Sequence, residues 1–119
     1  MSRAQKNIQL LFHPKSIAVI GASRNPQKVG GAVLDNLIKS GYKGRLFAVN
    51  PSADEILGVK SYKSVKLIKE KIDLAIIIIP AQFAGSILKE CGEAGIKAAI
   101  IISSGFREIG EEGKTREQE

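Results

Sequence analysis

The chain has 119 residues, of which 44% are hydrophobic and 25% are charged, a composition typical of one folded domain and not of a disordered segment. A formal net charge of +6 suits an anionic ligand, but the lack of Trp and an aromatic content of 5% exclude a base-stacking surface for single-stranded nucleic acid, and we expect no nucleic-acid partner. The single cysteine, Cys91, excludes a disulfide framework and a cysteine-based metal site, so no metal site is predicted.

The sequence predicts a cytoplasmic protein with no membrane segment. The opening stretch, MSRAQKNIQLLFHPKS, lacks the long apolar core and the small-residue cleavage site of a secretory signal. The apolar run LAIIIIPA is too short for a bilayer, which takes about 20 apolar residues. We interpret residues 1–15 as an N-terminal extension, residues 16–106 as the folded domain, and the almost wholly polar residues 107–119 as a tail that starts a truncated helix.

Four short apolar runs predict the strands of a parallel sheet. The runs are continuous rather than alternating, as expected of strands that are covered on both faces. Each gap between them has room for a crossover helix. The predicted strands are IAVI at 17–20, LFAV at 46–49, LAIIII at 74–79 and AAIII at 98–102.

Apolar stripes at helical spacing predict the connecting helices. The first stripe follows the first strand and stops at Gly41; it contains Val29, Val33, Leu34, Leu37 and Ile38. The second follows the third strand and stops at Gly95; it contains Phe83, Ile87, Leu88, Cys91 and Ala94. Between the second and third strands, Ser64 is predicted to cap a short helix that carries Val65, Leu67 and Ile68.

This alternation predicts a single α/β domain with a doubly wound, Rossmann-like parallel sheet in three layers, from which the last strand or strands are missing. Ligands of such sheets bind at the carboxyl ends of the strands. That rule selects the four stretches GASRNPQK, NPSADEILG, PAQF and SSGFRE as the candidate site.

The first of these loops does not fit the common phosphate motifs. A dinucleotide fingerprint that starts at Gly21 needs glycines where Ser23 and Pro26 stand, and the loop does not match the triphosphate-binding motif either. The acidic residue that would hold the ribose of NAD at the end of the second strand is replaced by Asn50. The sequence therefore disfavours NAD as a hydride carrier.

The same loop still suits an anion. Gly21 allows a sharp turn, Ala22 allows a close backbone approach, and Ser23 offers a hydroxyl and an N–H group. Arg24 and Lys28 add positive charge, and the following helix offers unpaired N–H groups and the positive end of its dipole. The pair Gly30–Gly31 is expected to let the first helical turn lie close to a ligand. The alternative is that the stretch RNPQK is only a polar turn.

Small, rigid or hydroxyl-bearing residues also end the other strands. Pro51 and Pro80 stiffen the chain directly after the second and third strands. Ser103, Ser104 and Gly105 follow the fourth strand with small hydroxyl and backbone groups. Together the four strand ends predict a cleft for a long, thin ligand that carries its phosphates at one side.

These stretches resemble the coenzyme A-binding domain of the nucleoside-diphosphate-forming acyl-CoA synthetases, which include the ADP-forming acetate–CoA ligases; succinyl-CoA synthetase alpha subunits are more distant relatives. The resemblance lies in LFHPKSIAVIGAS, VNPSADEILGVKSYKSV and IIIIPAQFAGSILKECGEAGIKAAIIISSGFREIGEEG, in the family's order and spacing. It implies a CoA site whose nucleotide end lies by the first loop and second strand, with the pantetheine arm crossing the later strand ends.

The resemblance also implies roles for single residues. It assigns the nucleotide end of CoA to Gly21, Ala22, Ser23 and Arg24, the adenosine to Val49, Asn50 and Pro51, the middle of the ligand to Ile79 and Pro80, and the pantetheine side to Ser103, Ser104 and Gly105. The alpha-subunit relatives carry a lysine at the position of Ala53, so a charge contact with phosphate must come from Arg24, Lys28 or elsewhere.

By the same resemblance, the full enzymes convert acid, ATP and CoA to acyl-CoA, ADP and phosphate through a phosphohistidine in a later domain. His13 does not match that histidine, and no base–nucleophile pair is visible, so we predict no catalytic residue here. ATP, ADP and magnesium then belong to domains outside this chain. The implied partners are CoA or acyl-CoA and the remaining ligase domains or an ATP-grasp beta subunit; a second copy of the chain is a further candidate.

Two alternatives remain open at the level of sequence. One is a stand-alone CoA-binding protein with a carrier or regulatory role, although IIIIPAQF and SSGFRE favour the ligases. The other is a Rossmann module that senses NAD(H) or another nucleotide, against which Asn50 argues.

Overall fold

The computed structural model describes residue 5 and residues 12–102, which form strands and helices in regular alternation. In chain order the elements are β1 (Ser16–Ile20), α1 (Val29–Lys39), β2 (Arg45–Val49), β3 (Glu55–Ile56), β4 (Val59–Tyr62), a 3₁₀ helix (Val65–Leu67), β5 (Leu74–Ile78), α2 (Ala81–Glu93) and β6 (Ala98–Ile102). All four predicted strands and both predicted helices are confirmed. The third predicted strand ends one residue early, at Ile78.

The six strands form one sheet in the order β3-β4-β2-β1-β5-β6. All neighbouring pairs are parallel except the antiparallel hairpin of β3 and β4. The chain runs outward from β1 to β2 and β4, then returns to the other side of β1 to form β5. The switch point of this doubly wound sheet therefore lies between β1 and β5, and ligands of such sheets bind outside the strand ends at that point.

Two apolar clusters, one on each face of the sheet, establish the three layers. On one face, Leu34 of α1 packs with Ile17, Val19 and other strand residues. On the other, Cys91 of α2 packs with the 3₁₀ helix and with Ala18 and Ile20. Consecutive residues of β1 thus enter opposite clusters, and every residue of this central strand is buried. Burial on both faces explains its unbroken apolar sequence.

The hairpin of β3 and β4 was not predicted: β3 and the turn lie within NPSADEILG, which was predicted as a strand-end loop, and β4 follows directly after that stretch. Its turn residues, Leu57 and Gly58, both have positive φ, at 52° and 83°, as tight hairpins require. Only Ala48 and Val49 of β2 pair with β4. Such short pairing leaves almost no periodic signal in the sequence.

The ends of the helices agree with their predicted stop and cap residues. Gly41 and Gly95 follow α1 and α2 with φ of 80° and 85°. The hydroxyl oxygen of Ser64 accepts a hydrogen bond from the N–H of Lys66, which confirms Ser64 as the cap of the 3₁₀ helix. Both stripes were predicted too wide, because several of their members are exposed: Val29, Ile38, Phe83 and Leu88.

The amino ends of the strands are tied together by a set of hydrogen bonds that we call the amino-end network. The carboxylate of buried Asp73 accepts from the N–H of Lys15 at 2.9 Å. The hydroxyl of Ser16 accepts from the N–H of Asp73 at 2.9 Å and donates to the carbonyl of Lys71 at 2.8 Å. These bonds connect the start of β1 to the segment just before β5, so they stabilise this end of the sheet.

Tyr42 extends the same network. Its hydroxyl donates to the carbonyl of Pro14 at 2.8 Å. Partial burial raises the pKa of the Tyr42 phenol, and the nearby Asp73 carboxylate raises it further, while Arg45 opposes the shift. The neutral phenol is therefore the form that donates this bond at neutral pH. The predicted tail and the question of a further strand concern residues after 102, which lie outside the described residues.

Candidate functional site

Two open cavities lie side by side at the carboxyl ends of the strands. The first, of about 520 Å³, extends from the ends of β1 and β2 to α2 and the start of the 3₁₀ helix. The second, of about 630 Å³, extends from the start of α1 to the ends of β5 and β6. Five residues line both cavities and form what we call the ridge between them: Gly21, Ser23, Lys28, Ile79 and Pro80.

Most of the predicted site residues meet at these cavities. The first cavity is lined by nine of them: Gly21, Ala22, Ser23, Lys28, Val49, Asn50, Pro51, Ile79 and Pro80. Arg24 is exposed and lines neither cavity, so its contact with a nucleotide stays a prediction. Ser103, Ser104 and Gly105 lie outside the described residues, directly after Ile102, which lines the second cavity.

Gly21 makes the turn off β1 by backbone geometry that other residues rarely adopt. Its φ is 94°, and a Cβ at this position would overlap the carbonyl oxygen of Ile78. Its N–H donates to the carbonyl of Val49 at 3.0 Å, which fixes the turn to the end of β2. Backbone atoms at the ends of β2 and β5 therefore hold this turn in place.

Gly30 and Gly31 pack against the preceding loop, a contact that the sequence does not predict. A Cβ on Gly30 would overlap the carbonyl oxygen of Gly21, and one on Gly31 would overlap that of Asn25. Both glycines are buried. The close approach that they allow is to the preceding loop, because the first turn of α1 packs directly on its backbone. Gly30 also lines the second cavity, so the expectation that this turn lies close to a ligand stays a prediction.

The loop is held by its own polar side chains, which leave the start of α1 uncapped. The N–H of Asn25 donates to the Ser23 hydroxyl oxygen at 3.1 Å, and the N–H of Gln27 donates to the Asn25 side chain at 2.9 Å. Lys28 occupies the N-cap position without a side-chain bond to the helix, and the first turn has no acidic residue. The Ser23 hydroxyl hydrogen and the positive end of α1 thus remain available to an anion at the ridge.

Asn50 ties the loop to β2. Its side-chain amide donates to the carbonyl of Ala22 at 2.9 Å, and its side-chain oxygen accepts from the N–H of Ser52 at 2.7 Å. Its backbone N–H donates to the carbonyl of Tyr62 at the end of β4, at 2.9 Å. Asn50 therefore connects three strand ends around the first cavity, a role that its place in the sequence did not reveal.

The far side of the first cavity is formed by residues that sequence reasoning missed. Lys63 and Ser64 follow β4, and Glu90 approaches from α2. The hydroxyl of Ser64 donates to the Glu90 carboxylate at 2.9 Å. Nearby, Lys66 forms an ion pair with Glu93 at 3.0 Å. These two contacts fasten the 3₁₀ helix to α2 and fix the width of the cavity.

An apolar wall completes the first cavity. Val65, Ile79, Phe83 and Ile87 contribute to it. Phe83 is 53% exposed although its spacing predicts a core position, because its place in the first turn of α2 puts it at the cavity. An apolar wall that faces a ridge of hydrogen-bond donors suits a ligand with both a flat or aliphatic part and an anionic part.

Neither candidate for covalent or acid–base chemistry belongs to this site. Cys91 is 2% exposed and packs in the core of the α2 face, as predicted. Burial, assisted by the Glu90 carboxylate, raises the pKa of its thiol to about 11, so the thiolate is scarce at neutral pH. His13 is exposed and lines neither of the two cavities. That His13 has no catalytic role stays a prediction.

Within the described residues, no group of three or more histidine, cysteine or acidic side chains is arranged to hold a metal ion. Over the same part of the chain, neither α-helix has the length and apolar character needed to span a membrane.

Similar proteins identify the family to which this architecture belongs. The family described as "CoA binding domain" matches residues 15–118. The alpha subunit of an ADP-forming acetate–CoA ligase I from Pyrococcus furiosus is 49% identical over 117 residues, which are 95% of this chain and 25% of that protein. An ADP-forming 4-hydroxybutyrate–CoA ligase from Nitrosopumilus maritimus is 43% identical over 109 residues, which are 92% of this chain and 16% of the ligase.

A solved structure agrees with this assignment. The apo form of dinucleotide forming acetyl-coenzyme A synthetase 1 from Ca. Korarchaeum cryptofilum superimposes with a TM-score of 0.80 at 42% identity, covering 89% of this chain and 23% of the synthetase. The chain thus spans a quarter or less of the length of these relatives. Because the family match extends over nearly the whole sequence, this chain belongs to the family of CoA-binding domains.

Proposed function

We propose that this chain binds coenzyme A across the ridge and its two cavities, as the CoA-binding part of an ADP-forming acyl-CoA synthetase. The reaction of that enzyme is acid + CoA + ATP = acyl-CoA + ADP + phosphate. The observation that carries the proposal is the uncapped start of α1 at the ridge, where Ser23 and Lys28 face both cavities. A diphosphate on this ridge would have one open cavity on either side.

The proposed pose follows from the lining of the cavities. The diphosphate of CoA lies on the ridge, where N–H groups, a hydroxyl and a lysine offer positive charge. The adenosine lies in the first cavity against the ends of β2 and β4, beside Asn50 and Pro51. The pantetheine arm crosses Pro80 into the second cavity and runs toward Ile102. Ser103, Ser104 and Gly105 are proposed to receive the arm beyond that point.

The names of the relatives support a site for CoA in this domain and sites for the other substrates in other domains. Proteins named for acetate and for 4-hydroxybutyrate are 49% and 43% identical to this chain over most of its length. A domain shared at such similarity by enzymes for different acids is suited to bind their common substrate, CoA. We therefore propose that the acid, ATP and magnesium bind in other ligase domains or in an ATP-grasp beta subunit, and that the whole enzyme is cytoplasmic.

Thermal unfolding with and without ligand tests the proposal. CoA or acetyl-CoA at about one hundred times its Kd should stabilise the native chain by about 2.7 kcal/mol, because it binds only the folded state. NAD at the same concentration should give a much smaller shift in Tm. An equal or larger shift with NAD would favour the nucleotide-sensing alternative, and no shift with CoA would contradict the proposal.

Ser23→Glu tests the position of the phosphates. The new carboxylate would face the diphosphate at the ridge, so we expect the Kd for CoA in titration calorimetry to rise by about a hundredfold. The fold should persist because Ser23 lies in a loop and a carboxylate near a helix start is favourable. Ser40→Glu is the matched control, since it adds the same charge at the other end of α1, where CoA affinity should stay unchanged. Equal affinity of the two variants would count against a phosphate at the ridge.

A further inference from the structure

We propose that Lys63 binds the ribose 3′-phosphate of coenzyme A and so makes the site select CoA over dephospho-CoA. This inference rests on the proposed function. It assigns to the first cavity a specificity for the 3′-phosphate, which the loop between β1 and α1 does not supply. It starts from the position of Lys63, a residue that the sequence presents as one of many scattered lysines.

Lys63 leaves the sheet next to Asn50. β4 pairs in parallel with β2, with Tyr62 opposite Val49. The N–H of Asn50 donates to the carbonyl of Tyr62 at 2.9 Å. Lys63 and Asn50 therefore emerge from neighbouring strands at the same level, and both line the first cavity.

The ribose of a bound nucleotide is expected at this level. In Rossmann-like sheets, the residue at the end of the second strand contacts the ribose hydroxyls, and a nearby cation accommodates a phosphate carried by the ribose. Here the residue at the end of β2 is the uncharged Asn50, whose side chain is already engaged with Ala22 and Ser52. A cation for a ribose phosphate must therefore come from a neighbouring strand end, and β4 supplies Lys63.

The charges around the first cavity support this assignment. Its charged lining residues are Lys28, Lys63 and Glu90. Lys28 lies at the start of α1 on the ridge, where we place the diphosphate, and the Glu90 carboxylate accepts a hydrogen bond from Ser64. Lys63 lines the first cavity and not the second. Its position therefore suits an anion at the adenosine end of the ligand.

The two lysines nearest to Lys63 in the sequence contact other side chains, whereas Lys63 forms no ion pair within the described part of the chain. Lys60 lies over the ring of Tyr62, 5.0 Å from its centroid, and Lys66 is paired with Glu93. Within residues 12–102 the other ion pairs are Lys39–Asp35 and Arg45–Glu70, so none includes Lys63. An exposed ammonium group that lines a cavity without an acidic partner can bind a phosphate at little cost in lost contacts.

Titration calorimetry of four proteins with two ligands tests this proposal. The proteins are the wild type, Lys63→Ala, Lys63→Arg and the control Lys69→Ala, which removes the same charge from an exposed lysine that lines neither cavity. The ligands are CoA and dephospho-CoA, which differ only in the 3′-phosphate. We expect the wild type to bind CoA about tenfold more tightly than dephospho-CoA.

Lys63→Ala should abolish this preference by weakening CoA binding about tenfold while changing the Kd for dephospho-CoA less than about twofold. Lys63→Arg should keep the preference because it keeps the charge, and Lys69→Ala should keep it because the charge that it removes lies elsewhere. The inference is overturned, with the proposed function intact, if the wild type binds both ligands equally or if Lys63→Ala weakens both to the same extent. Failure of the wild type to bind either ligand overturns both.

Discussion

The two ends of the sheet use their polar groups in opposite ways. At the amino ends, Asp73, Ser16 and Tyr42 form hydrogen bonds to backbone groups across 28 to 58 positions of sequence. At the carboxyl ends, most loop polar groups bond to partners two residues away, although the Asn50 side chain reaches Ala22 across 28 positions, and the start of α1 has no side-chain cap. One end therefore stabilises the fold, while the other leaves donors free for a ligand at the switch point.

The largest effect on stability is expected at Gly21, where the backbone turn at the carboxyl ends is tightly constrained. Gly21→Ala would place a Cβ against the carbonyl oxygen of Ile78 and force alanine to a φ of 94°. We expect the free energy of unfolding to fall by about 3 kcal/mol in urea denaturation, together with a loss of CoA affinity. Gly85→Ala is the control, because a Cβ there meets nothing within 4 Å and alanine favours the helix. Similar stability of the two variants would show that the Gly21 turn is not restrictive.

An intermediate effect is expected at the amino ends. Asp73→Ala would leave the N–H of Lys15 without its carboxylate partner, and we expect a loss of about 2 kcal/mol in the free energy of unfolding. The Kd for CoA, measured well below the melting temperature, should not change. The partly exposed pair Asp35–Lys39 provides the control, since Asp35→Ala should cost less than about 0.5 kcal/mol. A changed CoA affinity in Asp73→Ala would mean that the two ends are coupled.

The smallest effect on stability is expected at Asn50, whose bond to Ala22 is a long-range contact at the carboxyl ends. Asn50→Ala would release the carbonyl of Ala22 from β2, so we expect a loss of about 1 kcal/mol in the free energy of unfolding. CoA binding should weaken by about tenfold, because the ligand must then order the loop. Asn36→Ala on the exposed face of α1 is the matched control and should leave affinity unchanged. If both variants bind CoA alike, Asn50 does not position the loop.

Much of this fold could be predicted from the sequence because its strands are buried on both faces and its helices end at glycines. The continuous run around Ile17–Ile20 identifies a central strand, and Gly41 and Gly95 mark the helix ends that the structure has. The hairpin of β3 and β4 escaped prediction because its pairing is short. Its turn at Leu57–Gly58 also lacks the Asn-Gly or Asp-Gly signal typical of such turns.

Site residues could be predicted where their position follows from the nearby sequence. They could not be predicted where tertiary contacts between distant segments bring them to the cavity. Ser23 and Lys28 were found because a loop before a helix is visible in the sequence. Lys63 and Glu90 were missed because only the pairing of β4 with β2 and the packing of α2 place them at the first cavity. The contact of Gly30 with Gly21 was missed for the same reason, since only the fold brings the two residues together.

That backbone contact limits how the cleft can be redesigned. A side chain at Gly30 cannot be accommodated without displacing the turn at Gly21. Single substitutions where α1 packs on this turn would therefore disrupt the fold before they changed which ligand binds. Pro51 and Lys63, which follow β2 and β4, are exposed. Engineering this domain to bind a different cofactor should therefore begin with residues such as Pro51 and Lys63, and leave the start of α1 unchanged.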